Sequence, residues 1–151
     1  IDFNQKEREV PITEEVPTKG ETYSTITIPY NSTFSKVEYT YDSESGKNMR
    51  STNGTPSTDR ESGDQLFAHN IVIQYAKHGI LEPGAGYREV ELFGSGKAMY
   101  FIGGRFFEGR WERQNENSPT RFLDDGGEEI EFIPGNIWVH VVPTNMKVTV
   151  E

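Results

Sequence analysis

The 151-residue chain contains no cysteine. Disulfides, thiolate zinc sites, iron–sulfur clusters and a cysteine nucleophile are excluded together. The compartment stays open, because cysteine-free chains suit the cytosol and a bacterial exterior alike. Positive charge is also scarce: 15 Lys and Arg stand against 24 Asp and Glu, a net charge of −9. Polyanions are bound where several basic side chains converge on one surface, and here they are scattered singly among acids. The nearest cluster, Arg105, Arg110, Arg113 and Arg121, is interrupted by Glu108, Glu112 and Glu116, which nearly cancel its field. DNA, RNA and anionic lipid surfaces are therefore poor partners. Long apolar runs are missing too. Apolar runs such as residues 71–73 and 137–139 are far short of the ~20 residues that span a bilayer. No charged-apolar-small leader opens the chain, so neither a membrane helix nor a signal peptide is expected within this stretch.

What is present is a period of two. Val37, Tyr39 and Tyr41 alternate with Lys36, Glu38 and Thr40, which places rings on one strand face and charges on the other. Residues 69–75 form the densest β-branched run and predict a central strand covered on both faces. Gly103-Gly104 between two β-rich arms predicts a tight hairpin, because both residues tolerate positive φ. Further short strands follow at 8–12-residue spacing, and no segment holds a 3.6-residue apolar period. The expected fold is all-β: an antiparallel β-sandwich or open barrel of about ten short strands, with little or no helix. Residues 1–22, charged and broken by Pro11 and Pro17, read as a linker or extended N-terminal arm, and residues 23–151 as a single all-β domain. An opening Ile on such an arm suggests the downstream part of something longer or a processed product.

Motifs that suggest chemistry mostly dissolve on inspection. Gly94-Ser95-Gly96-Lys97 lacks the earlier glycine, the following Ser or Thr and the helix of a phosphate loop; it reads as a glycine-rich bend between strands. His69, His78 and His140 are the three imidazoles and have no close pair for zinc. His140 shares a strand face with Trp138 and Val142 and reads as a packed or edge histidine. The acidic groups around Asp59 and Asp124 do not match calcium-loop spacing. No metal and no cofactor is expected. Of 18 aromatic residues most read as core, Trp111 and Trp138 among them, while Tyr30 and Tyr87 sit at loop edges where a ring could stack on a sugar or peptide.

Seven segments appear in a familiar order: residues 39–42, 49–51, the 53–59 loop, residues 70–74, 94–98, 109–111 and 134–139. Together, across residues 25–143, they make the chain resemble the C-terminal part of YerB-like bacterial lipoproteins. The resemblance implies a lipid-anchored envelope protein on the extracellular side of the membrane of mainly Gram-positive bacteria. Its signal peptide, anchoring cysteine and N-terminal domain would lie upstream. It carries no established activity and no catalytic residues. Ser57 stands where a histidine would be expected, which weakens an acid–base role for that loop.

Arg50 on a short strand, Asp59 in a long polar loop and Asn70 in the most apolar strand form the leading candidate set, with Asn70 and Arg50 expected to pin the loop to the sheet. Tyr87, Lys97, Trp111 and Arg121 complete the candidate ligand-binding residues. The expected function is a non-catalytic binding or interaction domain, partnered by an unknown envelope protein, a cell-wall glycan or its own N-terminal domain. Two alternatives stand beside it. One is a carbohydrate-active or peptidoglycan-modifying enzyme that uses a carboxylate near Asp59 with Trp111 or Tyr87 as platform. The other is a purely structural domain.

Overall fold

The structure, a computed structural model, describes residues 2–3, 11–13, 20–31, 35–80, 88–90, 94–115 and 117–151. Fifteen strands occur among them: β1 (Asp2–Phe3), β2 (Glu21–Thr22), β3 (Thr25–Asn31), β4 (Ser35–Asp42), β5 (Lys47–Thr52), β6 (Thr55–Pro56), β7 (Phe67–Ala68), β8 (Asn70–Ala76), β9 (His78–Ile80), β10 (Arg88–Val90), β11 (Gly94–Ile102), β12 (Arg105–Arg113), β13 (Arg121–Asp124), β14 (Ile137–Pro143) and β15 (Thr149–Val150). No helix occurs among the described residues. The count exceeds the ten expected from sequence chiefly because β1, β2, β6 and β7 are two-residue edge pairings, too short to carry an alternation.

Two sheets face each other. The seven-stranded sheet runs β1-β14-β8-β11-β12-β13, with β2 on the far end of β12; the six-stranded sheet runs β15-β3-β4-β5-β6, with β7 also on β5. A separate ribbon pairs β9 with β10. Neither sheet closes into a barrel, so the fold is an all-β sandwich. One pairing departs from the expected antiparallel pattern: β14 lies parallel to β8, Ile137 opposite Asn70 through Pro143 opposite Ala76.

The core between the sheets joins Ile26, Ile28, Val37 and Tyr39 to Ile71, Ile73, Tyr75, Met99, Phe101 and Val142. A second core lies on the outer face of the seven-stranded sheet, where Val72, Tyr100, Ile102 and Trp111 meet Phe122, Ile130 and Phe132. Strand β8 is buried along its whole length as a result, which is why it reads as a continuous apolar run. The arm reaches this outer face as well. Ile12 bridges Phe132, with the Phe132 N–H donating to the Pro11 carbonyl at 2.9 Å, and β1 and β2 extend the sheet at β14 and β12.

Strands β11 and β12 form the hairpin read from Gly103-Gly104, which take φ of 60° and 81° between the paired Ile102 and Arg105. Residues 94–97 are not a bend. They continue β11 against residues 110–113, and glycine is needed at 96 for packing: a Cβ there would stand 2.6 Å from both Trp111 Nε1 and the Tyr75 carbonyl. Those two atoms are themselves hydrogen-bonded at 2.7 Å. Gly96→Ala is therefore expected to cost ~1–3 kcal/mol by urea denaturation, whereas Ser95→Ala stays within about 0.5 kcal/mol.

Candidate functional site

Asn53-Gly54, at φ of 52° and 80°, turns β5 into β6, and the chain that follows is stitched back along β5 rather than lying loose. The Arg50 carbonyl accepts from the Ser57 N–H at 3.0 Å and from Gln65 Nε2 at 2.8 Å, while the Arg50 N–H donates to the Leu66 carbonyl at 2.9 Å. Thr58 bridges Gln65. Asp59 then heads a tight tip. Its N–H donates to the Asp64 carbonyl at 2.8 Å, its carbonyl accepts from Gly63, and its carboxylate accepts the Glu61 N–H at 3.1 Å. A loop whose backbone groups are satisfied in this way holds its side chains without help from a ligand.

The turn before β14 is fixed from the other side. The Asn70 carboxamide, buried at the start of β8, donates to the Ile133 and Asn136 carbonyls at 2.9 and 3.1 Å and accepts the Ile133 N–H at 3.1 Å. Gly135 sits at φ 124°, where a Cβ would fall 2.3 Å from the His69 ring. The Asn136 side chain accepts the His69 backbone N–H at 2.7 Å and donates to the Phe67 carbonyl at 2.8 Å. Asn70 thus pins the 133–136 turn, not the 53–63 loop, and the loop is held instead by the backbone of Arg50 and the side chain of Gln65.

Between these two braced segments lies a cavity of about 270 Å³, whose walls include Asp59, Asp64, Gln65, Phe67, Asn136 and Trp138. The Arg50 guanidinium lies 4.8 Å from the Trp138 ring centroid, a cation–π contact. On the same strand face, His140 stacks on Trp138 with centroids 6.3 Å apart. Its two nitrogens meet two phenols: Nδ1 lies 2.5 Å from Tyr30 Oη and Nε2 lies 2.7 Å from Tyr39 Oη. Burial, with the positive charge of Arg50 adding to it, pushes the imidazole down to about 3, because neither factor tolerates a second proton. One phenol therefore donates to the bare nitrogen and the other accepts from the N–H. Burial raises Tyr30 to about 12, against the opposing pull of Arg50. Tyr30 is nonetheless 40% exposed, so this chain of rings runs from surface to interior. Trp138 Nε1 and Arg50 Nε are buried and have no acceptor among the described residues.

The structure thus brings two of the candidate residues to Trp138: Arg50 rests on its ring, and Asp59 lines the same cavity. The others go elsewhere. Asn70 is structural, as above. Trp111 cannot serve as a stacking platform: it is 1% exposed, inside the outer core, with its N–H bonded to Tyr75. Lys97 pairs with Glu108 at 3.2 Å on β11, and Arg121 is held by Glu129 at 3.0 Å and Glu112 at 3.4 Å on β13. Tyr87 lies outside the described residues. Sequence reasoning left Trp138, His140, Gln65 and Asn136 out of the site. Their signal was the Trp138, His140, Val142 alternation, which names a face but not what that face meets.

The family described as "Protein of unknown function (DUF3048) C-terminal domain" matches residues 26–139. A curated relative named "Putative lipoprotein YerB", from Bacillus subtilis (strain 168), is 33% identical over 114 residues, covering 75% of this chain and 33% of that protein. A crystal structure of the YerB protein from Bacillus subtilis superposes with a TM-score of 0.73 at 28% identity, over 89% of this chain and 46% of that one. The chain therefore spans about a third of its curated relative and under half of the crystallised protein.

The His140 environment makes stability depend on pH. A folded-state pKa of about 3, below the ordinary 6.5, means that the unfolded chain takes up the proton first. The neutral ring's contribution is complete above pH 6.5 and is lost as pH falls from there toward 3. Among the described residues the ring faces Tyr30, Tyr39 and Arg50. Urea denaturation at pH 7.5 and 4.5 is expected to show the stability gap between the wild type and His140→Gln shrinking by about 2–3 kcal/mol at the lower pH; an unchanged gap would contradict the assignment.

Proposed function

The chain belongs to the DUF3048 C-terminal domain family, and from that premise we propose that it is the ligand-binding domain of an envelope lipoprotein. A lipid anchor borne outside this chain would hold it at the extracellular face of the membrane. The ligand is a small hydroxylated moiety of the kind presented by cell-wall glycan, received in the cavity beside Trp138. One observation carries this reading: two aromatic rings, Trp138 and Phe67, line the same cavity as two carboxylates, Asp59 and Asp64, and two carboxamides, Gln65 and Asn136. A sugar offers an apolar C–H face to rings and hydroxyls to carboxylates and amides, and the hydrogen bonds that brace both walls keep these groups in place before any ligand arrives.

Catalysis of glycoside hydrolysis fits the geometry less well. Its two carboxyl groups flank the scissile bond from opposite sides, whereas Asp59 and Asp64 share one tight tip and are joined backbone to backbone. His140 is an equally poor base, with both nitrogens occupied. Titration with soluble peptidoglycan fragments, followed by tryptophan fluorescence, is expected to saturate, and Trp138→Ala and Asp59→Asn should each weaken binding about tenfold or more. Binding that survives both substitutions unchanged would move the site elsewhere; absence of saturation at millimolar fragment would overturn the reading in favour of a structural role.

A further inference from the structure

Five basic side chains reach oxygen acceptors among the described residues. Lys36, Lys97 and Arg121 face carboxylates, and Arg105 and Arg113 donate to backbone carbonyls. Arg50 does neither among the described residues. Its guanidinium rests on an indole face, and its Nε is buried without an acceptor. The indole it rests on has the same deficit, since Trp138 Nε1 is buried and unpartnered. Buried donors left unmatched are uncommon in folded proteins and call for a specific reason.

The neighbours do not supply what is missing. The Tyr30 and Tyr39 hydroxyls are committed to His140, which is neutral. The carbonyl of Arg50 is saturated by Ser57 and Gln65. The Arg50 charge and two orphan N–H groups therefore meet at Trp138, which lines the cavity together with Asp59 and Asp64, while the Lys47 ammonium lies over the ring of Phe67, another wall residue. A planar guanidinium beside a second N–H donor suits a carboxylate, which offers two coplanar acceptor oxygens.

We propose that Arg50 and Trp138 form a carboxylate subsite, so that the preferred ligand is an acidic sugar-like molecule whose hydroxyls face Asp59 and Asp64. The proposal rests on the reading of the cavity as a binding site and adds the ligand's charge. Both donors lie below the surface, so the carboxylate reaches them as Arg50 turns off the indole face, a side-chain rotation rather than a backbone movement. The acidic wall then orients the ligand, because a reversed molecule would set its carboxylate against two others.

N-acetylmuramic acid and N-acetylglucosamine test this directly, since the first carries a lactyl carboxylate that the second lacks. Each is titrated into ¹⁵N-labelled protein while the indole N–H resonances of Trp138 and Trp111 are followed, Trp138→Phe giving the assignment. The acid is expected to bind at least tenfold more tightly than the neutral sugar and to shift the Trp138 indole N–H. Arg50→Gln should reduce the acid to the affinity of the neutral sugar and leave the Trp111 resonance in place as the sign of an intact fold. Arg50→Lys, which keeps the charge but loses the fork, should fall between. Equal affinity for the two sugars in the wild type would overturn the carboxylate subsite and leave the cavity reading standing. A preference for the acid that persists in Arg50→Gln would overturn it as well. No binding of either sugar at millimolar concentration would overturn both.

Discussion

A neutral imidazole held between two phenols joins the two sheets of this protein. His140 comes from β14 of the seven-stranded sheet, Tyr30 and Tyr39 from β3 and β4 of the six-stranded one. The His140–Tyr39 bond is buried, where a hydrogen bond is directional and costly to leave unmade, so the trio fixes the relative placement of the strands. Trp138 sits two residues earlier on the same face of β14 and is thereby carried to Arg50 of β5 and to the front of the 57–67 segment. The apolar contacts of the inter-sheet core would tolerate a small slide; the imidazole does not.

The cavity is bounded by two segments that depend on opposite strategies. The 57–66 stretch is polar and is held almost wholly by backbone hydrogen bonds to β5 and within itself. The 133–136 turn is held by side chains, the Asn70 and Asn136 carboxamides, and by a glycine that lets the backbone approach His69. Both segments are finished structures without a ligand. Among the described residues three buried donors lack acceptors, Arg50 Nε, Trp138 Nε1 and Gln74 Nε2, and the first two meet where the Arg50 guanidinium rests on the Trp138 ring. Local inconsistency within a consistent fold marks function more often than error.

Much of the fold was legible in the sequence because the relevant forces are local. The alternation at Val37, Tyr39 and Tyr41 gave β4 its faces, Gly103-Gly104 gave the hairpin, and the apolar run around Ile71 gave a strand covered on both sides. The parallel pairing of β14 with β8 left no trace, since it joins segments more than sixty residues apart and depends on which partner remains once the hairpins have formed. Gly96 looked like a bend because a glycine's absent side chain says nothing about the indole that occupies its place. For the site, Arg50 and Asp59 were legible as odd residues in their surroundings. Trp138 and His140 were not, because a strand face of Trp, His and Val is what a core also presents; only the opposing sheet distinguishes the two.

The state of His140 is the most direct test of this account. The ¹⁵N shifts of its ring, measured at pH 5.5 with an Asn substitution for assignment, report protonation without reference to stability or ligand. A neutral ring, with one pyrrole-like and one pyridine-like nitrogen, is the predicted result, since the folded pKa lies near 3. Two equivalent, imidazolium-like nitrogens at that pH would mean that the ring is wet and free of its phenol partners, and the placement of β14 against β5 would lose its physical basis.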